Sequence, residues 1–333
     1  MEKVAVLGAG SWGTTLALHL YKKGFDVYLY EPFCDNAKEL DEKRENTKFL
    51  PGFKIPKAIS ITPDIKKAVN GSRIVVFAVP SHVIRKTARK LRSLDLEGKI
   101  IVSVAKGIEE KSLMRMSQII AQELPSTKSS IVVLTGPSHA EEVVREIPTT
   151  IVAASRNTRK AEYVQTAFLS PSLRVYTNTD IVGAELGGAF KNIIAIACGV
   201  GDGLGFGDNT KSALMTRGMH EISRLGIAMG ARPKTFAGLT GMGDLITTCI
   251  SRHSRNRNFG EMLGRGMSPK EALSKMTMVV EGVRTTRAAC KLAKKYAIEM
   301  PITEQTYQVI FGNKKRAIVV KDLMTRNAKA EDK

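Results

Sequence analysis

Short apolar runs alternate with amphipathic stretches over the first half of the chain. Each run is rich in Val and Ile and is bounded by Gly, Pro or charged residues, which is typical of parallel strands covered on both faces. The runs occupy residues 4–7, 27–30, 74–79, 100–104 and 131–134, with a last pair expected at 150–154 and 174–176. Helical periodicity lies between them, for example over 14–23 and 82–91. This alternation predicts a doubly wound α/β domain with a parallel sheet over residues 1–180.

The pattern changes after about residue 180, where apolar residues recur with helical spacing. The helical stretches fall at residues 181–200, 211–229, 255–263, 268–276, 282–297 and 302–311. We therefore predict an all-helical second domain over residues 181–333. Because no flexible linker separates the halves, we expect the two domains to share a broad interface.

The composition is that of an ordinary globular chain. Of its 333 residues, 43% are apolar and 25% are charged, which excludes a disordered or low-complexity protein. No uninterrupted apolar run approaches the roughly 18 to 20 residues that cross a bilayer. The N-terminal residues also lack the basic head and long apolar stretch of a signal peptide. We expect a cytoplasmic protein that is complete in itself, with no integral membrane segment; its oligomeric state stays open, and a homodimer is compatible with the sequence.

The four cysteines and the charge balance narrow the chemistry further. Cys34, Cys198, Cys249 and Cys290 lie far apart and form no CxxC pair, so we expect reduced thiols rather than a disulfide framework or a metal site.

The net charge is +19, but the basic residues are spread along the chain and only 6% of residues are aromatic. A single-strand platform needs interleaved aromatics. We therefore predict no nucleic-acid partner, and a basic surface that steers small anions.

A glycine motif follows the first predicted strand. Gly8, Gly10 and Gly13 form GxGxxG between residues 4–7 and the helical stretch that opens at Thr14. In that context Gly8 allows the tight turn, Gly10 lets a pyrophosphate approach the backbone, and Gly13 lets helix and strand pack closely. The pyrophosphate would sit on free N–H groups at the helix N-terminus. The motif predicts a dinucleotide cofactor and a Rossmann-type domain.

An acidic residue stands where such a domain holds the adenosine ribose. Glu31 ends the second predicted strand, 18 residues beyond Gly13, close to the expected spacing of about 20. The alternative is an ordinary surface Glu at a strand end. Residues 79–81 end the third strand, and we expect them to lie beside the nicotinamide end of the cofactor.

Lys191 is unusual because it lies in an apolar helical segment that is rich in small residues. Burial of an ammonium group is unfavourable and lowers its pKa towards the range useful for proton transfer. The alternative is a lysine that extends to the surface. On the residues alone both interpretations stay open.

Further candidates for an anion site follow predicted strands or begin a helix. Lys106 and the segment 136–140 come directly after strands, where ligands of open α/β sheets bind. Ser254, Arg255 and Asn256 begin a helix and combine a hydroxyl, a guanidinium and an amide, which suits a phosphate. Asp244 lies in a glycine turn upstream. For each of these segments the alternative is an ordinary capped turn with solvated side chains.

Taken together, these segments resemble the bacterial NAD(P)-dependent glycerol-3-phosphate dehydrogenases. The resemblance is carried, in order along the chain, by GAGSWGT, VPSH, AKGIE, LTGPSHAEE, ELGGAFKNIIAIACGVGDGLGFGDN, LTGMGDL, TCISRHSRNRNFG, VVEGVRTT and MPITEQTYQVI. It implies interconversion of sn-glycerol 3-phosphate and dihydroxyacetone phosphate, and supply of glycerol phosphate for phospholipid synthesis.

The resemblance also implies roles for individual residues. Lys191 would be the catalytic acid/base, Lys106 would add positive charge near the reacting oxygen, and Asp244 would help to place Lys191 or the substrate. The implied substrate contacts are Lys106, Gly136, Ser138, Lys191, Asp244, Ser254, Arg255 and Asn256. The implied cofactor contacts are Ser11, Trp12, Lys106, Ala140, Arg255, Val279 and Glu281.

Two positions depart from the family pattern. Many relatives carry Arg or His just after the second strand, near the NADP phosphate, whereas residues 30–33 of this chain hold no base. We therefore expect NAD to be preferred and NADP to be used more weakly. His139 stands where many relatives have Phe, and the sequence gives no account of it.

Two rival functions remain at this point. One is another β-hydroxyacid-type dehydrogenase, acting for example on 6-phosphogluconate, which would share the two-domain plan and the helix lysine. The segment 254–256 favours a small phosphate instead. The other is a nucleotide-sensing or nucleic-acid-binding protein with a Rossmann fold, which would explain the charge but leave Lys191, Lys106 and Arg255 without a task.

Overall fold

An eight-stranded sheet organises the first half of the computed structural model, which describes residues 1–328, 330 and 331. The strands lie in the order β3-β2-β1-β4-β5-β6-β7-β8. They are β1 (Lys3–Leu7), β2 (Asp26–Tyr30), β3 (Ser60–Thr62), β4 (Ser72–Phe77), β5 (Ile100–Ser103), β6 (Ile131–Thr135), β7 (Thr149–Ala154) and β8 (Leu173–Asn178). All neighbouring pairs are parallel except β6 and β7. The predicted doubly wound fold class is confirmed.

Two features of the sheet differ from the prediction. The edge strand β3 was not expected, because three residues are too few to form a recognisable apolar run. The strand β7 runs antiparallel to β6, with Val133 opposite Ala154, and the apolar pattern carries no information on strand direction. The last two strands do form the expected pair.

Helices cover both faces of this sheet. They are α1 (Ser11–Lys22), α2 (Cys34–Lys43), α3 (Ile65–Val69), α4 (Ile84–Arg89), α5 (Met116–Glu123), α6 (Ala140–Val143) and α7 (Thr158–Phe168), with 3-10 turns at Ser81–Val83 and Pro125–Ser130. Along β1, Val4 and Val6 belong to one apolar core, and Ala5 and Leu7 belong to another. Since side chains alternate between faces, both faces of the sheet are buried.

The rest of the described chain is helical. Its helices are α8 (Ile181–Gly203), α9 (Asp208–Ala228), α10 (Pro233–Ala237), α11 (Asp244–Ile250), α12 (Arg255–Gly264), α13 (Pro269–Ser274), α14 (Glu281–Tyr296), α15 (Pro301–Phe311) and α16 (Arg316–Met324), with one π-helical turn at Leu239–Gly243. Ala5 and Leu7 of β1 share their core with Phe190 and Ile193 of α8. The sheet and the helices are therefore joined by a continuous apolar interior.

The long helix α8 is the centre of the helical half and packs against α9, α11, α12 and α14. Its length and composition alone would suit a membrane span, but 94% of its apolar window is buried inside the protein. Glycines on α8 let its neighbours come close. A Cβ at Gly187 would lie 2.4 Å from the carbonyl oxygen of Thr240, and one at Gly199 would lie 2.0 Å from that of Arg257. This close packing brings α11 and α12 beside the segment that carries Lys191.

Candidate active site

The glycine turn after β1 forms an open cradle. Gly8 has φ +116°, and a Cβ there would lie 2.8 Å from the carbonyl oxygen of Ala78. A Cβ at Gly13 would lie 1.9 Å from the carbonyl oxygen of Gly8, whereas one at Gly10 would meet nothing within 4 Å. The helix α1 begins at Ser11 without a side-chain cap, so its first N–H groups are available to an anion. The residues present therefore fit the pyrophosphate of a dinucleotide.

The side chain of Asn46 forms hydrogen bonds with this turn. The sequence did not predict this role for Asn46. Its side-chain nitrogen donates to the carbonyl oxygen of Ala9 and to the hydroxyl of Thr14, both at 2.8 Å, and the residue is 2% exposed. Its side-chain oxygen accepts from the backbone N–H of Phe49 at 3.1 Å. Asn46 lies in irregular chain after α2, so no local pattern points to it.

Glu31 lies at the carboxyl end of β2, as predicted, and is 7% exposed. Its carboxylate accepts from the backbone N–H groups of Phe33, at 3.3 Å, and of Ala9. Burial raises the pKa of Glu31, and these hydrogen bonds and the charge of Lys48 oppose that rise. The nearby Lys48 was overlooked in the sequence, because it comes 17 residues after Glu31 and follows no strand.

Lys191 is buried, at 5% exposure, which decides between the two interpretations of this residue. Its ammonium group donates to Oδ1 of Asp244 and, at 2.6 Å, to the hydroxyl of Thr248. Burial is the main cause that lowers the pKa of Lys191, to about 7; Asp244 opposes this shift and the charge of Lys106 adds to it.

Asp244 joins the two lysines that the sequence placed 85 residues apart. Its Oδ2 accepts from Nζ of Lys106 at 2.8 Å, while Oδ1 faces Lys191. Asp244 is 1% exposed, whereas Lys106 keeps a partly exposed side chain. Lys106 also donates to the carbonyl oxygen of Gly136 at 2.9 Å, and the hydroxyl of Ser138 donates to the same oxygen at 2.9 Å. The loops after β5 and β6 thus meet at this cluster.

Two residues beside this cluster were missed by the sequence reasoning. Thr248 lies one helical turn after Asp244 on α11, and this i, i+4 spacing was a usable signal. Asn192 follows Lys191 directly, and its Oδ1 accepts from Nδ2 of Asn256 at 3.0 Å. Both Thr248 and Asn192 are buried.

The segment 254–256 lies at the start of α12. The hydroxyl of Ser254 accepts from the backbone N–H of Arg257 at 3.2 Å and so caps the helix. Arg255 donates from Nη1 to the carbonyl oxygen of Val279 at 3.1 Å. The Oδ1 of Asn256 accepts from the backbone N–H of Gly282 at 2.9 Å. The hydroxyl of Ser254 therefore holds its own loop, whereas Asn256 ties α12 to α8 and α14, and Arg255 supplies the cation.

The remaining predicted cofactor contacts lie on α1, on α6 and at the start of α14. Glu281 accepts from the backbone N–H of Ser81 at 2.9 Å and also from its hydroxyl, so the turn after β4 is tied to α14. The hydroxyl of Ser11 lies 3.9 Å from Sδ of Met278. Ala140 begins α6 and is buried, and Trp12 is half-buried. The predicted positions thus border the glycine turn and the lysine cluster.

The described residues contain no group of three or more His, Cys, Asp or Glu side chains that could hold a metal ion. All four cysteines are free thiols; Cys198 and Cys249 are buried and Cys34 is exposed.

Comparison with known proteins assigns both halves of the chain to one family. Residues 3–161 match the NAD-dependent glycerol-3-phosphate dehydrogenase N-terminus, and residues 180–321 match the C-terminus of the same family. A glycerol-3-phosphate dehydrogenase [NAD(P)+] of Pelotomaculum thermopropionicum is 57% identical over 325 residues, which cover 97% of this chain and 93% of the relative. The corresponding protein of Desulfitobacterium hafniense is 52% identical and covers 99% and 93%.

A solved structure agrees with these sequence matches. The glycerol-3-phosphate dehydrogenase of Coxiella burnetii superposes with a TM-score of 0.93 at 36% sequence identity, covering 98% of this chain and 99% of that one. The likeness therefore extends over the sheet and the helices together.

Proposed function

Because this chain belongs to the NAD-dependent glycerol-3-phosphate dehydrogenase family, we propose that its buried Lys191–Asp244–Lys106 cluster carries the proton chemistry of that reaction. The protein is an NAD(P)-dependent oxidoreductase that interconverts dihydroxyacetone phosphate and sn-glycerol 3-phosphate. When bound, the nicotinamide cofactor would supply or accept the hydride at the secondary carbon of the substrate. The observation that carries the proposal is the pairing of both lysines with one buried carboxylate.

Lys191 exchanges the proton with the oxygen on the secondary carbon. Its pKa of about 7 means that the ammonium and the amine are both populated near neutral pH, which suits an acid in one direction and a base in the other. Asp244 and the hydroxyl of Thr248 hold the Nζ atom of Lys191 from two sides. These two contacts orient the ammonium group of Lys191 and do not use all of its N–H donors.

Lys106 stabilises negative charge on the same oxygen. Its ammonium lies 2.8 Å from Asp244 and its side chain is partly exposed, so a substrate in the cleft can reach it. A fixed cation beside the developing oxyanion lowers the barrier most where water is scarce. Two lysines share one carboxylate, so the cluster favours an anionic oxygen.

The substrate phosphate is held by the loops at the mouth of this cluster. Arg255 supplies the charge-assisted contact, and the side chains of Ser254 and Asn256 beside it hold the phosphate as well. Gly136 and Ser138 close the site from the sheet side.

The residues that would hold the cofactor extend from the glycine turn after β1 to the lysine cluster. The residues that we propose to contact it are Gly8, Gly10, Ser11, Trp12, Gly13, Glu31, Lys106, Ala140, Arg255, Val279 and Glu281. Glu31 accepts the ribose hydroxyls and disfavours a 2′-phosphate, so NAD is preferred over NADP. Lys48 beside Glu31 reduces this discrimination without removing it.

We further propose that the chain divides at about residue 180 into a dinucleotide-binding domain and a helical substrate domain. It acts in the cytoplasm as a homodimer, binds no nucleic acid, and supplies glycerol phosphate for phospholipid synthesis.

An assay of NADH consumption tests the proposed chemistry. The purified chain should oxidise NADH with dihydroxyacetone phosphate and do so poorly with unphosphorylated dihydroxyacetone. Reduction of NAD with 6-phosphogluconate serves as the comparison reaction. Turnover with 6-phosphogluconate but not with dihydroxyacetone phosphate would refute the proposal, as would full activity of a Lys191→Ala variant.

A further inference from the structure

Two histidines from different halves of the fold face each other beside the lysine cluster. His139 lies in the loop after β6, directly after Ser138 and before α6. His253 lies directly before Ser254 at the start of α12. Their ring centroids are 6.0 Å apart and the ring planes are tilted by 50°. The pair therefore joins the two loops that border the proposed phosphate site.

The imidazole of His139 has an unused hydrogen-bonding atom. Its Nε2 is buried and has no hydrogen-bond partner among residues 1–328, 330 and 331. A buried polar atom without a partner carries a desolvation penalty, so such atoms are rare unless a ligand or a movement completes them. Two imidazoles joined by an N–H···N hydrogen bond have centroids roughly 5 Å apart. A closing movement of about 1 Å would bring His253 into that position.

We propose that His139 is a positioning residue for the phosphate site and acts through His253. When the phosphorylated substrate lies between the two loops, the His139–His253 pair closes into a hydrogen bond and holds residues 254–256 against residues 136–138. This inference rests on the proposed phosphate-binding role of Arg255 and its neighbours. It gives His139, which no other part of the mechanism uses, a role in substrate affinity.

The buried position of His139 favours the neutral form of its ring. Burial is the main cause that lowers the pKa of His139. The groups that face it are Lys191 on α8, Lys106 after β5, Glu141 on α6, Asp244 on α11 and His253 before α12. A neutral imidazole has one donor and one acceptor, as the proposed pair requires. Protonation of the His139 ring would remove its acceptor.

Steady-state kinetics of four proteins test this role. They are the wild type, His139→Phe, His253→Phe and the double variant, with saturating NADH and varied dihydroxyacetone phosphate. Each single variant should raise KM by about three- to tenfold, the range expected for one neutral hydrogen bond, with kcat nearly unchanged. The double variant should be no worse than the worse single one, because both changes remove the same interaction. His139→Gln, which can donate from a similar position, should recover part of the affinity.

The pH dependence separates this role from a merely structural one. On acidification, KM of the wild type should rise more steeply than KM of His139→Phe, because protonation removes the acceptor of His139 in the wild type alone. Ionisation of the substrate affects both proteins alike. Equal NADH affinity and melting temperature establish that the variants fold. Additive effects in the double variant, or an unchanged KM in His139→Phe, would overturn the inference while wild-type turnover leaves the proposed function standing. Absence of wild-type turnover would instead refute the proposed function.

Discussion

Lys191 and Asp244 form an ion pair in the interior, with 5% and 1% of their surfaces exposed. A buried ion pair often adds little to stability, because the attraction between the two charges is offset by the hydration that both lose. Here Lys106 adds a second cation, which binds the other oxygen of the same carboxylate. The fully ionised cluster therefore carries one excess positive charge, and an oxygen that becomes negative during ketone reduction would neutralise it.

Replacement of Lys191 by Ala should lower kcat by about 10² to 10⁴-fold, the range typical of a lost general acid or base. NADH affinity should stay close to the wild-type value, because Lys191 serves the proton and not the dinucleotide. The measurement is kcat with dihydroxyacetone phosphate, together with NADH binding by fluorescence titration. Lys275→Ala is a suitable control, since Lys275 is exposed and is not one of the proposed site residues. A kcat within tenfold of the wild type would contradict the assignment.

The two directions of the reaction should respond oppositely to pH. The pKa of Lys191 is about 7, so ketone reduction, which uses the ammonium form, should fall as pH rises through that value. Oxidation of glycerol phosphate uses the amine and should rise over the same interval. Profiles of kcat/KM in the two directions measure this, since they report the ionisable groups of the free enzyme.

Asp244→Asn provides a second test of the same pKa. The carboxylate raises the pKa of Lys191 against the effect of burial, so its removal should move the limb of the ketone-reduction profile to lower pH. Activity near neutral pH should fall strongly as a consequence. A limb that stays at the wild-type pH would show that another group is being titrated.

Arg255→Ala should raise KM for dihydroxyacetone phosphate by tenfold or more, because a charge-assisted contact of about 1.5 to 3 kcal/mol would be lost. Unphosphorylated dihydroxyacetone should be a poor substrate for the wild type and should be affected much less by the change. Arg252→Ala offers a matched control, since Arg252 is exposed in the same loop. Equal losses on the two ketones would argue that Arg255 does not bind the phosphate.

Wild-type kcat/KM should be higher with NADH than with NADPH. A carboxylate about 4 Å from a 2′-phosphate is repelled by roughly 1 to 4 kcal/mol, depending on how wet the site is. Glu31→Arg should narrow or reverse the preference with little effect on KM for the ketone. Lys48→Ala should widen it, because it removes the cation beside Glu31. Equal or better wild-type use of NADPH would show that Glu31 does not select the cofactor.

Asn46→Ala should weaken NADH binding and lower the free energy of unfolding by about 1 to 3 kcal/mol, since the buried carbonyl of Ala9 would lose its partner. Saturating NADH should restore kcat, because Asn46 supports the turn and touches no reacting group. Isothermal titration and urea unfolding measure the two effects. An unaltered affinity for NADH would contradict a supporting role.

The sequence predicted most of the sheet because its strands contain compact apolar runs, and it singled out the glycine turn because the GxGxxG residues lie close together in the chain. It could not show that Lys106 and Lys191 share one carboxylate. That contact depends on how α8 and α11 dock beside the loop after β5, which local periodicity does not determine. The sequence did not predict roles for Lys48 and Asn46 for a related reason. Both residues lie outside helices and strands, where no periodic pattern indicates which side chains are buried or functional.

The continuous interior that joins Ala5 and Leu7 to Phe190 and Ile193 limits how this enzyme can move. A hinge that swung the helices away from the sheet would expose these fully buried side chains to water, at an energy comparable with unfolding. Access to the cleft must therefore come from its rim loops, and heat or denaturant should melt the sheet and the helices in a single cooperative transition.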